Sequence, residues 1–144
     1  MIFKYLPVLL LAAWVNIGIA HQLDGEFERV GGGEPSISVK SHNSIVTVDF
    51  NIEGEEADRV SGYVTSNVVM NKSNSCNDKK VFQVQAICLL HSTKYPKFCR
   101  VAKGYYQVKA EDDPNAKDTR CLHNTYGYVL FGRQSIAQAM RKIK

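Results

Sequence analysis

The sequence predicts a mostly β, or α+β, protein: one antiparallel sheet domain held by two disulfides, with a short helix at its C-terminal end. Three observations carry that prediction. Runs rich in β-branched residues alternate apolar and polar side chains, as strands with one buried face require. Four cysteines follow an apolar leader, and such a leader directs a chain to an oxidising compartment. Near the C-terminus the pattern changes to apolar residues at helical spacing behind a capping sequence.

Residues 1–20 carry one charge, Lys4, followed by an apolar stretch from Tyr5 that ends in Gly18-Ile19-Ala20, small residues at both positions a signal peptidase reads. The stretch is short for a bilayer span of about 20 apolar residues. His21-Gln22-Leu23-Asp24 supplies no stop-transfer cluster. Residues 1–20 are therefore expected to be a secretory signal peptide, and 21–144 a single secreted, disulfide-stapled domain with a basic tail over 120–144. A chain of that length can bury a real core, so disulfides would add to its stability rather than replace a core.

Arg29-Val30-Gly31-Gly32-Gly33-Glu34-Pro35 interrupts any regular element and reads as a flexible arm or a turn. Ser36 to Lys40 alternates, and Val46, Val48, Phe50 and Ile52 alternate with Thr47, Asp49 and Asn51, which predicts two strands joined at Ser41-His42-Asn43. Gly54 to Asp58 is a polar break. Val60 to Met70 and Val81 to Ile87 are the next strands, and pattern does not choose between the Val81 and Phe82 faces. Phe98 to Val108 has strand character, and Asp112-Asp113-Pro114-Asn115-Ala116 is a turn. Tyr126 to Phe131 is the last predicted strand, stopped by Gly132. Ser135-Ile136-Ala137-Gln138 has the Ser-x-x-Gln form of a capping box, and Ile136, Ala139, Met140 and Ile143 fall at helical spacing behind it.

Cys76, Cys88, Cys99 and Cys121 should form two disulfides, and spacing leaves all three pairings open. Consecutive pairing would tie neighbouring strands, each bridge being worth on the order of 3 kcal/mol. The absence of any C-x-x-C pair speaks against a zinc site.

Residues 21–144 hold 17 basic and 14 acidic side chains, a balance too even to point to nucleic acid. The distribution says more. Residues 24–58 hold nine acidic and two basic side chains, whereas 59–144 hold fifteen basic and five acidic ones. Either the two parts lie against each other and neutralise, or the basic part faces an anionic partner. From Arg120 onward there are Arg120, Arg133, Arg141, Lys142 and Lys144 and no carboxylate. In a helix, Ile136, Met140 and Ile143 would oppose Arg141, Lys142 and Lys144, the plan of a segment that lies on an anionic membrane surface.

His21, His42, His91 and His123 are scattered, with no H-E-x-x-H, so no metal and no cofactor are expected. Acid-base nuclease chemistry by His91 and His123 has nothing in the sequence to orient the two rings. With the thiols paired and no G-x-S-x-G elbow, the chain is expected not to be an enzyme. Asn71-Lys72-Ser73 is an N-glycosylation sequon.

Three features together resemble the cystatin superfamily of secreted cysteine-protease inhibitors and their relatives, the cathelicidin proregions. They are the cysteine spacing, the segment Asp58-Arg59-Val60-Ser61-Gly62, which looks like the Q-x-V-x-G hairpin loop, and Arg29-Val30-Gly31-Gly32, which looks like the glycine-ended N-terminal arm. The resemblance implies two consecutive disulfides and a wedge of arm and hairpin that enters a papain-type protease cleft. The chain departs from the family in its strand pattern over 36–52, where the long helix should stand, and in lacking a Pro-Trp pair between Cys99 and Cys121.

The expected function is that of a secreted, non-enzymatic extracellular effector that binds a target protein through Gly31, Gly32, Gly33 and Asp58, Arg59, Val60, Ser61, Gly62. The alternatives are a cationic toxin or host-defence protein acting on anionic membranes, and a β-rich carrier of a small apolar ligand.

Overall fold

A computed structural model describes residues 19, 21–43, 45–51, 58–91, 97–110, 115, 117–132 and 137–144. The strands run in the order β1 (Gly25–Arg29), β2 (Ser36–His42), β3 (Ile45–Asn51), β4 (Asp58–Ser73), β5 (Phe82–Leu90), β6 (Lys97–Arg100), β7 (Gly104–Lys109), β8 (Thr119–Asn124), β9 (Tyr128–Phe131) and β10 (Ala137–Lys142). Every pairing is antiparallel. From β1 to β6 each strand pairs with the next, β6 pairs with β9, β9 with β10, and β10 returns to β1. Eight strands therefore close into an up-and-down barrel with no free edge. The two remaining strands, β7 and β8, form a hairpin inserted between β6 and β9 that attaches to the far end of β4.

Two cores follow from this plan. Inside the barrel lie Leu23, Phe27, Ile37, Val39, Val46, Val48, Phe50, Leu89, Phe98, Leu130 and Met140, with the Phe27 ring against Phe98 and Tyr128 at 4.8 and 4.7 Å. Between the barrel wall and the hairpin lie Ala86, Cys88, Cys99, Val101, Tyr106, Val108, Leu122, Val129, Phe131 and Ala137. β2 and β3 touch only the first core and alternate cleanly between buried and open positions. β5, β6 and β9 are covered on both faces, so Cys88 and Leu89, Phe98 and Cys99, and Val129 and Leu130 are buried as adjacent pairs. That double burial is why a period-2 reading finds no single face there.

One irregularity lets β4 serve both cores. Thr65 pairs with Cys88 and Val68 with Ala86, so Ser66 and Asn67 together oppose Ile87. The extra residue is a β-bulge and switches the side on which every later side chain emerges. Val60 and Val64 thus pack in the barrel, and Val68 and Met70 pack under the hairpin.

Several expectations are met. The strands at Ser36 and Val46, with the turn at Asn43 in the left-handed region (φ 57°), and those at Val60, Phe82 and Tyr128 all form. Phe98 to Val108 is two strands, β6 and β7, rather than one region. β1 and β8 were not foreseen, since GEFER and TRCLHN each hold few apolar residues. Residues 1–18 and Ala20 of the expected leader, most of the 54–58 break, the 112–116 turn apart from Asn115, and residues 133–136 lie outside the described residues.

The predicted C-terminal helix is corrected to a strand over Ala137–Lys142. Only an extended β10 can pair with β9 on one side and β1 on the other; a helix there would leave both edges with unpaired backbone groups. Met140 then points into the barrel and Ala137 under the hairpin, both fully buried. The consecutive pairing that the cystatin resemblance implied is not the one formed. The bridges are Cys76–Cys121 and Cys88–Cys99. β5 and β6 are neighbours, and their register sets Cys88 directly opposite Cys99. Cys76, just past β4, joins Cys121 and fastens the hairpin to the barrel.

Candidate functional site

Two of the expected binding segments share one end of the barrel. The β1–β2 connection carries Gly31, Gly32 and Gly33, and β4 begins at Asp58 opposite Phe50, beside the start of β2. The three glycines are exposed with φ of 92°, 83° and 86°, and a Cβ on any of them would meet nothing within 4 Å. Conformation rather than room is what asks for glycine there. Asp58, Arg59, Val60, Ser61 and Gly62 do not form a hairpin tip: all five lie within β4, paired with β3. Gly62 is a close-packing residue, since a Cβ would stand 2.5 Å from the Leu90 carbonyl oxygen and 2.9 Å from Leu89 Cδ1.

The C-terminal residues are part of the wall. Met140 is buried, Arg141 pairs with Glu28, and Lys142 stands opposite Phe27. The Ile143 N–H donates to the Glu26 carbonyl at 2.8 Å, and the Lys144 carbonyl accepts from the Glu26 N–H at 3.0 Å. Ile136 lies outside the described residues, and the rest offers no amphipathic helical face. Asn71 is exposed on β4, with Ser73 buried two positions on.

The charge segregation acquires a geometry. The acidic first part of the chain supplies β1 to β3, one wall of the barrel. Each seam of that wall carries a salt bridge to the basic part: Arg141 to Glu28 between β10 and β1, and Arg59 to Asp49 at 2.7 Å between β4 and β3. The Arg59 guanidinium bonded to Asp49 holds that carboxyl below its ordinary value of 3.8. Part of the expected neutralisation is thus made at the two seams, by Glu28 and Asp49.

Two basic residues away from the seams, Arg100 and Lys103, come together elsewhere. At the opposite mouth of the barrel a groove of about 420 Å³ is lined by Gln22, Gln85, Arg100, Lys103, Tyr126 and Tyr128, among others, and, among the described residues, by no carboxylate. Arg100 follows Phe98 by two positions along β6, which carries the inward face out to the mouth. Tyr126 and Lys103 stand in the loops beside it, Tyr126 43% exposed. Among the described residues neither Arg100 nor Lys103 forms an ion pair. Sequence reading found the excess of positive charge in this part of the chain but not the residues, because only the barrel brings 22, 85, 100 and 126 together.

The same end carries a Ser-His-Asp cluster that the sequence did not suggest. Asp24 Oδ1 accepts from the Ser41 N–H at 2.9 Å, Asp24 Oδ2 from the Ser41 hydroxyl at 2.7 Å, and His21 Nδ1 lies 2.9 Å from Asp24 Oδ2 and 2.7 Å from Ser41 Oγ. A proton relay needs one ring nitrogen on the carboxylate and the other on the hydroxyl. Here one nitrogen meets both, so the cluster acts as a clamp that holds the segment before β1 against β2 and seats Leu23 in the core. His91 sits by the Phe50 ring at 5.3 Å and His123 stacks on Tyr105 at 4.3 Å. Among the described residues no three His, Cys, Asp or Glu side chains gather as a metal site. Comparison with known proteins finds no family model, no curated protein and no solved structure that matches the chain.

Proposed function

We propose that the chain is a secreted, non-enzymatic extracellular protein that binds an acidic patch on a target protein through the groove of Arg100, Lys103, Tyr126 and Tyr128. One observation carries this reading: Glu28 and Asp49 are paired at the seams, whereas among the described residues no carboxylate lines the groove of Arg100 and Lys103. Exposed tyrosine beside unpaired cations suits protein recognition, because the ring adds contact area at low entropic cost and the charges steer encounter. The two disulfides suit an extracellular setting. The test is affinity capture from the fluid into which the protein is released, with an Arg100→Glu/Lys103→Glu variant run in parallel at low and high salt. A protein partner that the variant and high salt both lose supports the reading. Partners held equally by both proteins overturn it, and so does binding to phosphatidylserine vesicles in place of any protein, which would favour a cationic protein acting on membranes.

A narrower reading, inhibition of a papain-type protease, is favoured by the open glycine loop at the other barrel end. Gly31, Gly32 and Gly33 project with free space around them. Titration of papain with the oxidised protein decides it, since a stoichiometric loss of activity is required and none at micromolar protein removes it.

A further inference from the structure

A second cleft, of about 310 Å³, opens where β7 turns away from β4. The two strands pair at Lys72 with Tyr106 and at Ser73 with Tyr105, and the ladder goes no further. Met70 and Val108 are left apart across the gap; Val81, Tyr106 and Phe131 complete the apolar part of the lining, and Asn71, Ser73 and Gln107 form its polar part. The Tyr106 hydroxyl donates to the Ala102 carbonyl at 2.6 Å, so it is already engaged. Burial pushes its pKa up to about 12, which keeps it neutral at physiological pH.

Among the described residues of this lining, Lys97 is the charged one. Lys97 Nζ sits 4.3 Å from the centre of the Phe131 ring, half-buried at the start of β6. Among the described residues no carboxylate lines the cleft and Lys97 makes no ion pair. Burial lowers its pKa from the ordinary 10.5. A partly desolvated cation without a counter-ion is unfavourable, and the face of one phenyl ring compensates only part of that cost.

We infer that this cleft binds a small amphipathic carboxylate, its head on Lys97 Nζ and its apolar body against Met70, Val81, Val108 and Phe131. The volume lies at the lower end of the range for small-molecule sites, roughly 300 to 1,000 Å³, which favours a medium-chain fatty acid over a long-chain one. The cleft is separate from the groove of Arg100 and Lys103, so the inference stands apart from the function proposed above.

The experiment is titration of the oxidised full domain with decanoate, decan-1-ol and decyltrimethylammonium, followed by calorimetry and by amide chemical shifts. Decanoate is expected to bind one-to-one, about tenfold or more tighter than the alcohol, with shifts centred on Met70, Lys97, Val108 and Phe131. Lys97→Arg should keep the preference for the carboxylate, and Lys97→Met should abolish it while the protein stays folded by circular dichroism. Should Lys97→Met not fold, the comparison of the three ligands on the natural protein and on Lys97→Arg still decides. Equal affinity for decanoate and the alcohol, shifts centred on Arg100 instead, or no decanoate binding up to millimolar concentration would overturn the inference.

Discussion

Arg59 on β4 grips the carboxylate of Asp49 on β3 through two hydrogen bonds, Nε to Oδ1 at 2.7 Å and a second guanidinium nitrogen to Oδ2 at 3.1 Å, at a seam between the acidic and basic parts of the barrel. The bond lowers the Asp49 pKa below its unfolded value. A depressed carboxylate contributes stability that is present above the unfolded value and is lost as pH falls through the folded one. The melting temperature of the natural protein should therefore drop as pH is lowered below 3.8. Asp49→Asn should flatten that part of the profile. Because the pair is exposed, its effect should be small and should shrink further with added salt.

Gly62 is a point of close approach between β4 and β5. Gly62→Ala is expected to cost about 1–3 kcal/mol, because its methyl would press on backbone at Leu90 that cannot move without breaking the ladder. Urea denaturation measures it, and an unchanged midpoint would contradict the packing described.

Asn124 is fully buried and polar, and its amide nitrogen and its carbonyl oxygen are both bonded near the hairpin's base. Its Nδ2 donates to the Val101 and Ala102 carbonyls at 3.2 Å each, and its Oδ1 accepts from the Gly127 N–H at 3.0 Å. Asn124→Ala should cost about 1–3 kcal/mol by stranding these groups. Asn124→Asp should be worse at neutral pH, since a carboxylate would face two carbonyl oxygens, and should recover stability as acid protonates it. Thermal melts at neutral and mildly acidic pH separate the two variants.

The disulfides enclose loops of very different size, with sequence separations of 45 for Cys76–Cys121 and 11 for Cys88–Cys99. By chain entropy alone the longer loop is worth about 4 kcal/mol and the shorter about 3 kcal/mol. Non-reducing peptide mapping should recover these two pairs and no peptide joining Cys76 to Cys88. The Cys76→Ala/Cys121→Ala variant should lose roughly that larger amount in denaturant titration.

Where a strand has one buried face, its pattern was readable: Ile37 and Val39 on β2, and Val46, Val48 and Phe50 on β3, alternate with polar residues. Where a strand is covered on both sides alternation is lost: β9 is still legible from its aromatic and apolar run, whereas the pattern of β10 misleads. There the small Ala137 and Ala139 belong to one core and Met140 to the other, so residues from two faces merged into a stripe with helical spacing. β1 escaped notice because a single residue, Phe27, faces its core. Of the expected binding residues, Gly31 to Gly33 stand in an open loop as an arm or turn should. Asp58 to Gly62 were misjudged as a tip because the glycine that looked like turn chemistry serves close packing. Arg100, Lys103 and Tyr126 carry no local motif and became a site only through assembly.

From the amino-acid sequence by itself came the strand-rich character, the presence of four thiols able to form two bridges, and the division into an acidic and a basic part. Each is a property of composition or of spacing within a few residues, which local sterics and side-chain hydrophobicity express directly. The closure of the barrel, the bulge that turns β4 from one core to the other, the partner of each cysteine and the cationic groove were decided by tertiary structure alone. They depend on which backbone edges meet and in what register, and that choice is made by burying two cores together while pairing every strand of the barrel wall on both sides.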